Sequence, residues 1–184
     1  MALQELPDYP WDQMAPYAER ARAHADGLVD LSIGSPVDPT PDLIREALAS
    51  ATDAHAYPQT VGTPALREAI VDWFHRRRGV RGLTVENVLP TIGSKELVAL
   101  LPFMLGLGDG DIVVHPRAAY PTYAIGAAMA GATAVASDDP AEWPEGTRLI
   151  WLNSPGNPDG RILTVHELRA AVARARELSL LGPP

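Results

Sequence analysis

The sequence predicts an α/β fold in which a mostly parallel sheet carries helices on both faces. Three observations lead there. Short runs rich in Val, Ile and Leu alternate with longer runs of helical period through the second half of the chain. Those short runs are continuously apolar, as in strands covered on both sides, and do not alternate as in a half-exposed sheet. No internal repeat or low-complexity linker breaks the 184 residues, a length that suits one sizeable domain.

Taken in order, Asp12 to Ala25 reads as a first helix stopped by Gly27. Val29 to Ile33 alternates as a short strand, broken by Gly34, Ser35 and Pro36. Thr40 before Pro41 pairs an N-cap with proline at the first helical position, and Leu43, Ile44, Ala47, Leu48 and Ala51 follow as a stripe. Thr63 and Pro64 repeat that opening, with Leu66, Ile70, Trp73 and Phe74 as the apolar face and Gly79 as the exit. Strands are then expected at Val88 to Ile92, Asp111 to His115, Thr133 to Ala136 and Leu149 to Leu152, with helices at Ser94 to Leu105 and Thr122 to Ala130. Thr164 with Glu167 three residues on is a capping box, opening a helix with Leu168, Val172 and Ala175 inward. The chain then ends in Ser-Leu-Leu-Gly-Pro-Pro, where an α/β unit normally delivers its next strand.

Composition removes several function classes. Fifteen basic residues against 23 acidic ones give a net charge of −8, which disfavours nucleic acid as a partner. The absence of cysteine excludes disulfides, Cys-ligated metals and thiol catalysis. The histidines His24, His55, His75, His115 and His166 show no i,i+4 pairing, so no metal site is expected. Met1 to Asp8 lacks the basic start of a secretory signal, and the apolar run Leu97 to Leu107 is broken by Pro102 and Gly106. A cytoplasmic location without membrane contact is the resulting expectation. Arg76, Arg77 and Arg78 close a helix, where cations favour the dipole. Among the basic residues a single lysine, Lys95, stands with 14 arginines.

Three strand-end clusters carry chemistry. Thr91-Ile92-Gly93-Ser94-Lys95-Glu96 turns from a strand into a helix with a hydroxyl and a cation at its head, a geometry that suits a phosphate. Ala119-Tyr120-Pro121-Thr122-Tyr123 places aromatic rings after the next strand. Asn153 to Gly160, with Asn157 inside it, follows a third. Each alone also fits an ordinary capped turn or a Pro- and Gly-rich loop. Together they offer a phosphate turn, an aromatic plate and an amide, the contacts a flat phosphorylated heteroaromatic ligand needs.

On these residues the chain resembles the class I/II, fold-type I aminotransferases, which use pyridoxal 5′-phosphate. The finer likeness is to bacterial N-succinyldiaminopimelate aminotransferases of lysine biosynthesis, carried by LPDYPWDQMAPY, VDLSIGSPVDPTP, YPQTVGTPALREAI, LPTIGSKELVALLP and AYPTY. The resemblance implies that Ser94, Lys95 and the backbone at Glu96 bind the cofactor phosphate, that Tyr120 stacks on the ring, and that Asn157 hydrogen-bonds the ring hydroxyl. It implies further that Tyr57 reaches the phosphate of a neighbouring subunit in a homodimer and that Gly34 contacts the substrate carboxylate. Amino-acid and keto-acid substrates follow, specifically glutamate and N-succinyl-2-amino-6-ketopimelate. Residues 1–40 would then be an N-terminal arm and helix, and 41–184 an incomplete cofactor-binding large domain.

The reaction needs a lysine amine that links covalently to the cofactor and moves a proton. In the family that lysine lies beyond the Asn-Pro-x-Gly loop, where this chain has none. Lys95 sits on the phosphate turn, on the wrong side of the ring for the task. The expectation is therefore a chain truncated before its catalytic lysine and inactive alone. A non-catalytic remnant that binds phosphate or the cofactor weakly is the alternative.

Overall fold

A computed structural model of the chain describes residues 8–180; the acidic start at Met1 to Pro7 and the last four residues of the Pro-terminated tail lie outside the described residues. The chain divides into two compact units, one drawn from Met1–Glu19 and Ile92–Pro184, the other from Arg20–Thr91.

The first unit carries the sheet. Its order is β2-β1-β3, formed by β1 (Ile112–His115), β2 (Thr133–Ala136) and β3 (Thr147–Ile150), and both pairings are parallel. Ile112 pairs Thr133 on one side and Thr147 on the other, and a bulge follows before Val113 meets Leu149. Adjacent residues of β1 point to opposite faces, and both are sealed: Val113 is 0% and Val114 1% exposed. On one face Val113 packs with Leu107, Ala127 and Ala132. On the other Val114 packs with Trp143 and Ala171.

Those faces belong to different helices, as the continuous apolar strands predicted. α5 (Thr122–Ala130) covers the first, with α4 (Ser94–Met104) packed against it, and α6 (Val165–Glu177) supplies Ala171 to the second. Gly126 makes the α4–α5 contact close: a Cβ there would stand 2.9 Å from the carbonyl oxygens of both Val98 and Ala99. α6 opens on the predicted box, where Thr164 Oγ1 accepts from Glu167 N at 3.2 Å and Glu167 accepts from Thr164 N at 2.7 Å. Its inward face matches expectation at Ala175 and differs elsewhere. Ala171 and Ala175 are buried, whereas Leu168 and Val172 stay 39% and 38% exposed, because the small alanines let the helix lie close on Trp143 and Val114.

Several boundaries shift. The first helix, α1, spans Pro10–Arg22 instead of Asp12 to Ala25; residues 23–26 form turns closed by Gly27 N donating to His24 O. The third strand begins two residues early, at Thr147, whose hydroxyl donates to Pro144 O at 2.7 Å and anchors the turn into it.

The second unit holds α2 (Asp42–Ser50) and α3 (Pro64–Arg78). α3 starts as predicted on Thr63, which accepts from Leu66 N, and ends at Gly79. α2 begins one residue later than expected, with Pro41 at the cap and no side-chain cap bond. Its stripe stays exposed, Leu43 at 79% and Leu48 at 67%, because an amphipathic stripe is buried only where a second apolar face meets it.

Two expected strands do not form. At Val29 to Ile33 the backbone is coil: Asp30 Oδ1 accepts from Ser32 N at 2.9 Å and from its hydroxyl at 2.6 Å, a local turn that competes with a ladder. Val88 to Ile92 is coil for a similar reason. Thr84 N donates to Asn87 Oδ1 around a 3₁₀ turn at Val85–Asn87, and Pro90 has no N–H to give.

Candidate functional site

The site is built at the carboxyl ends of the parallel strands, where an α/β sheet gathers its connecting loops. Its floor is the head of α4. Gly93 takes φ +86° as the capping residue, a left-handed conformation that a side chain would strain, and Ser94 then begins the helix. The first N–H groups of α4 have no partner inside the helix, and its dipole presents positive charge there. Ser94, Lys95 and Glu96 all sit exposed on this first turn.

Lys95 has a neighbour that no local motif announces. Its Nζ lies 4.9 Å from the centroid of the Tyr9 ring, just before α1. The Lys95 amine is held above its ordinary pKa, first by a hydrogen bond with Tyr9 and then by the charges of Tyr120 and Tyr9. The Tyr9 phenol is held below its own ordinary value by the hydroxyl of Thr122, then by Tyr120 and Lys95, against the opposing effect of burial. Lys95, Tyr120, Thr122 and Tyr9 thus form one polar cluster.

Tyr120 is half-buried and is the outermost ring of a series. It meets Tyr123 edge-on at 6.3 Å, and Tyr123 in turn lies 5.1 Å from Trp151, which packs against the core of the first face. Burial raises the pKa of Tyr123, so that ring stays neutral and serves as support. An aromatic plate backed this way keeps one orientation.

The loop after β3 is tied at both ends. Asn153 Oδ1 accepts from Asn157 N at 2.9 Å, Ser154 Oγ accepts from Leu163 N at 3.0 Å, and Gly156 N donates to Arg161 O at 2.8 Å. Arg161 pairs with Glu167 of the α6 box, fastening the loop exit. Asn157 stands exposed on this braced loop. Gly34 and Tyr57 belong to the second compact unit, both on exposed coil, Tyr57 at 98% exposure.

Sequence reading missed Tyr9 and Thr122. Tyr9 had no local signal, since its partners come from distant segments. Thr122 read as a helix start, yet it is 2% exposed and its Oγ1 has no well-aligned hydrogen bond among the described residues. A buried hydroxyl without a well-aligned hydrogen bond, beside a lysine, a helix head and a supported ring, fits a flat anionic cofactor.

Comparison with known proteins shows the family. The family description "Aminotransferase class I and II" matches residues 26–181. A 4-dedimethylamino-4-oxo-anhydrotetracycline transaminase, OxyQ, of Streptomyces rimosus is 54% identical over 95% of this chain and 49% of its own length. A probable aminotransferase of Mycobacterium tuberculosis is 50% identical over 96% of this chain and 42% of its own. LL-diaminopimelate aminotransferases stand further off, one from Dehalococcoides mccartyi at 32% identity. Among solved structures, aminotransferase AspB from Helicobacter pylori superimposes with a TM-score of 0.83 at 26% identity, covering 98% of this chain and 50% of that one. The chain spans about half the length of the curated relatives it matches. Members of this family use pyridoxal 5′-phosphate and act on amino and keto acids. The chain belongs to the class I and II aminotransferases, and its sheet and helices are part of the fold-type I large domain.

Proposed function

We propose that this chain supplies the phosphate and ring contacts of a pyridoxal 5′-phosphate-dependent amino transfer. The observation that carries the reading is the meeting of the α4 head, Lys95, Thr122 and the Tyr120 ring in one cluster. In this reading Ser94, Lys95 and the Glu96 backbone hold the phosphate, Tyr120 fixes the plane of the ring, and Asn157 holds the ring hydroxyl. Gly34 receives the substrate carboxylate, and Tyr57 serves the neighbouring subunit of a homodimer. When bound, the cofactor supplies an electron sink for the substrate α-carbon. Lys95 acts as a cation there and not as the covalent lysine, so the chain holds cofactor but does not turn over alone. Residues 1–40 act as an arm to the large-domain part at 41–184, in the cytoplasm.

For substrate, the motif likeness favours glutamate as donor and N-succinyl-2-amino-6-ketopimelate as acceptor. A second reading rests on the 54% identity to OxyQ, a transaminase of an oxo-anhydrotetracycline: a bulky cyclic ketone as acceptor. Titrating pyridoxal 5′-phosphate against tryptophan fluorescence tests the cofactor reading. Saturable binding that weakens in Tyr120→Ala is expected, and no binding overturns it. Reduction with borohydride followed by mass mapping tests the role of Lys95. An unmodified Lys95 is expected; a stoichiometric cofactor adduct there with turnover overturns it. Titrating each acceptor into the chain loaded with pyridoxamine 5′-phosphate separates the substrates by which one binds more tightly, read by tryptophan fluorescence.

A further inference from the structure

Lys95 does not stand free at the head of α4. The Tyr9 ring comes to it from the segment before α1, with Nζ 4.9 Å from the ring centroid, a distance at which an ammonium and an aromatic face attract. The ring is itself fixed edge-on to Trp11, with centroids 5.9 Å apart. The Tyr9 hydroxyl enters the cluster of Thr122, Tyr120 and Lys95. One side chain therefore stands beside the cation of the phosphate turn and in one cluster with the aromatic plate and the buried threonine.

We propose that Tyr9 is a positioning residue for Lys95, holding its ammonium at the phosphate turn as a fixed cation and withholding that amine from nucleophilic chemistry. The proposal rests on the cofactor reading above for the identity of the anion. The arrangement has two physical consequences. An ammonium seated on a ring face loses rotamer freedom before any ligand arrives, so less is lost on binding. It also stays protonated to higher pH: Tyr9, Tyr120 and Glu96 all face it and favour the charged form, and only burial opposes them. A protonated amine attacks neither a carbonyl nor an anhydride.

Lys95 is the chain's one lysine, so competitive acetylation with limiting acetic anhydride, read on the Lys95 peptide, reports this ε-amine alone. In Tyr9→Ala the labelling rate at pH 9 is expected to rise about threefold to tenfold, as the ring and the phenol are both lost. Tyr9→Phe keeps the ring and loses the hydroxyl, and its rate is expected between the two, about twofold above the parent. Affinity for pyridoxal 5′-phosphate follows the same order, weakening about tenfold in Tyr9→Ala and less in Tyr9→Phe. Tyr9→Phe serves as the folded reference through its circular dichroism. Equal labelling of Lys95 in the parent and in Tyr9→Phe and Tyr9→Ala overturns the proposal. Graded labelling without any cofactor binding supports the Tyr9–Lys95 positioning and overturns the cofactor reading instead.

Discussion

Replacing Gly126 by alanine tests whether the site depends on how closely α4 and α5 approach. In an ordinary helix interior this substitution stabilises, by about 1 kcal/mol on helix propensity. Here the new Cβ would stand 2.9 Å from Val98 O, 2.9 Å from Ala99 O and 3.2 Å from Ala99 Cα. All three are backbone atoms of α4, so no side-chain rotation relieves them and the helices must part by about half an ångström. Overpacking of this kind costs about 1–3 kcal/mol. Set against the propensity gain, the middle of that range leaves a net loss of about 1 kcal/mol, a fall in Tm of roughly 2–4 °C for a chain of this size. Thermal melts followed by circular dichroism measure it. Ser94 and Lys95 ride on the head of α4, and Thr122 on the head of α5. The same variant should therefore bind pyridoxal 5′-phosphate about tenfold more weakly, since a phosphate contact set by both helices is sensitive to small displacements. An unchanged or raised Tm would show that propensity outweighs contact, and that the close approach at Gly126 contributes nothing to the fold.

Removing the aromatic plate with Tyr120→Ala should weaken cofactor binding about threefold to tenfold, whereas Tyr120→Phe should stay near the parent, because stacking needs the ring and not the hydroxyl; fluorescence titration compares them. Thr164→Ala removes the cap that opens α6 and should lower stability by about 1 kcal/mol in urea unfolding. Glu167 in that box has its pKa lowered, first by the Thr164 backbone N–H, then by the Thr164 hydroxyl and by Arg161. Its contribution is present above the unfolded carboxylate value and is lost as pH falls through the lower folded value, so the gap in Tm between parent and Glu167→Gln should narrow on acidification. Lys95 works in the opposite sense: with its pKa raised by Tyr9, the pairing is full below the ordinary lysine value. It disappears as pH rises through the folded value, and the Tm difference between parent and Lys95→Met should close there.

How far the sequence reached follows from the range of the forces involved. α5 runs over the predicted Thr122–Ala130, and β2 over Thr133–Ala136. Both are set by nearby residues: a proline before the helix, a glycine after it, and an apolar run of strand length. The capping box at Thr164 and Glu167 is local in the same way. Val29 to Ile33 and Val88 to Ile92 failed because alternation says only that a strand would have one apolar face. It does not say that a partner strand arrives, and at Asp30 and Thr84 short hydrogen bonds satisfied the backbone first. The inward face of α6 was right at Ala175 and failed on size at the larger residues. Leu168 and Val172 are the more apolar side chains, yet Ala171, packed against Trp143, and Ala175 are the ones buried. The site divides along the same line. Ser94, Tyr120 and Asn157 were candidates because each lies within its own local motif, a helix head, an aromatic turn and a Pro- and Gly-rich loop. Tyr9 was not, because a tyrosine in a proline-flanked segment has no meaning until the fold brings Lys95 under its ring. A site whose cation is positioned by a residue from a distant segment of the sequence can be inferred from motifs only in part, and the part left out is the one that holds its lysine in place.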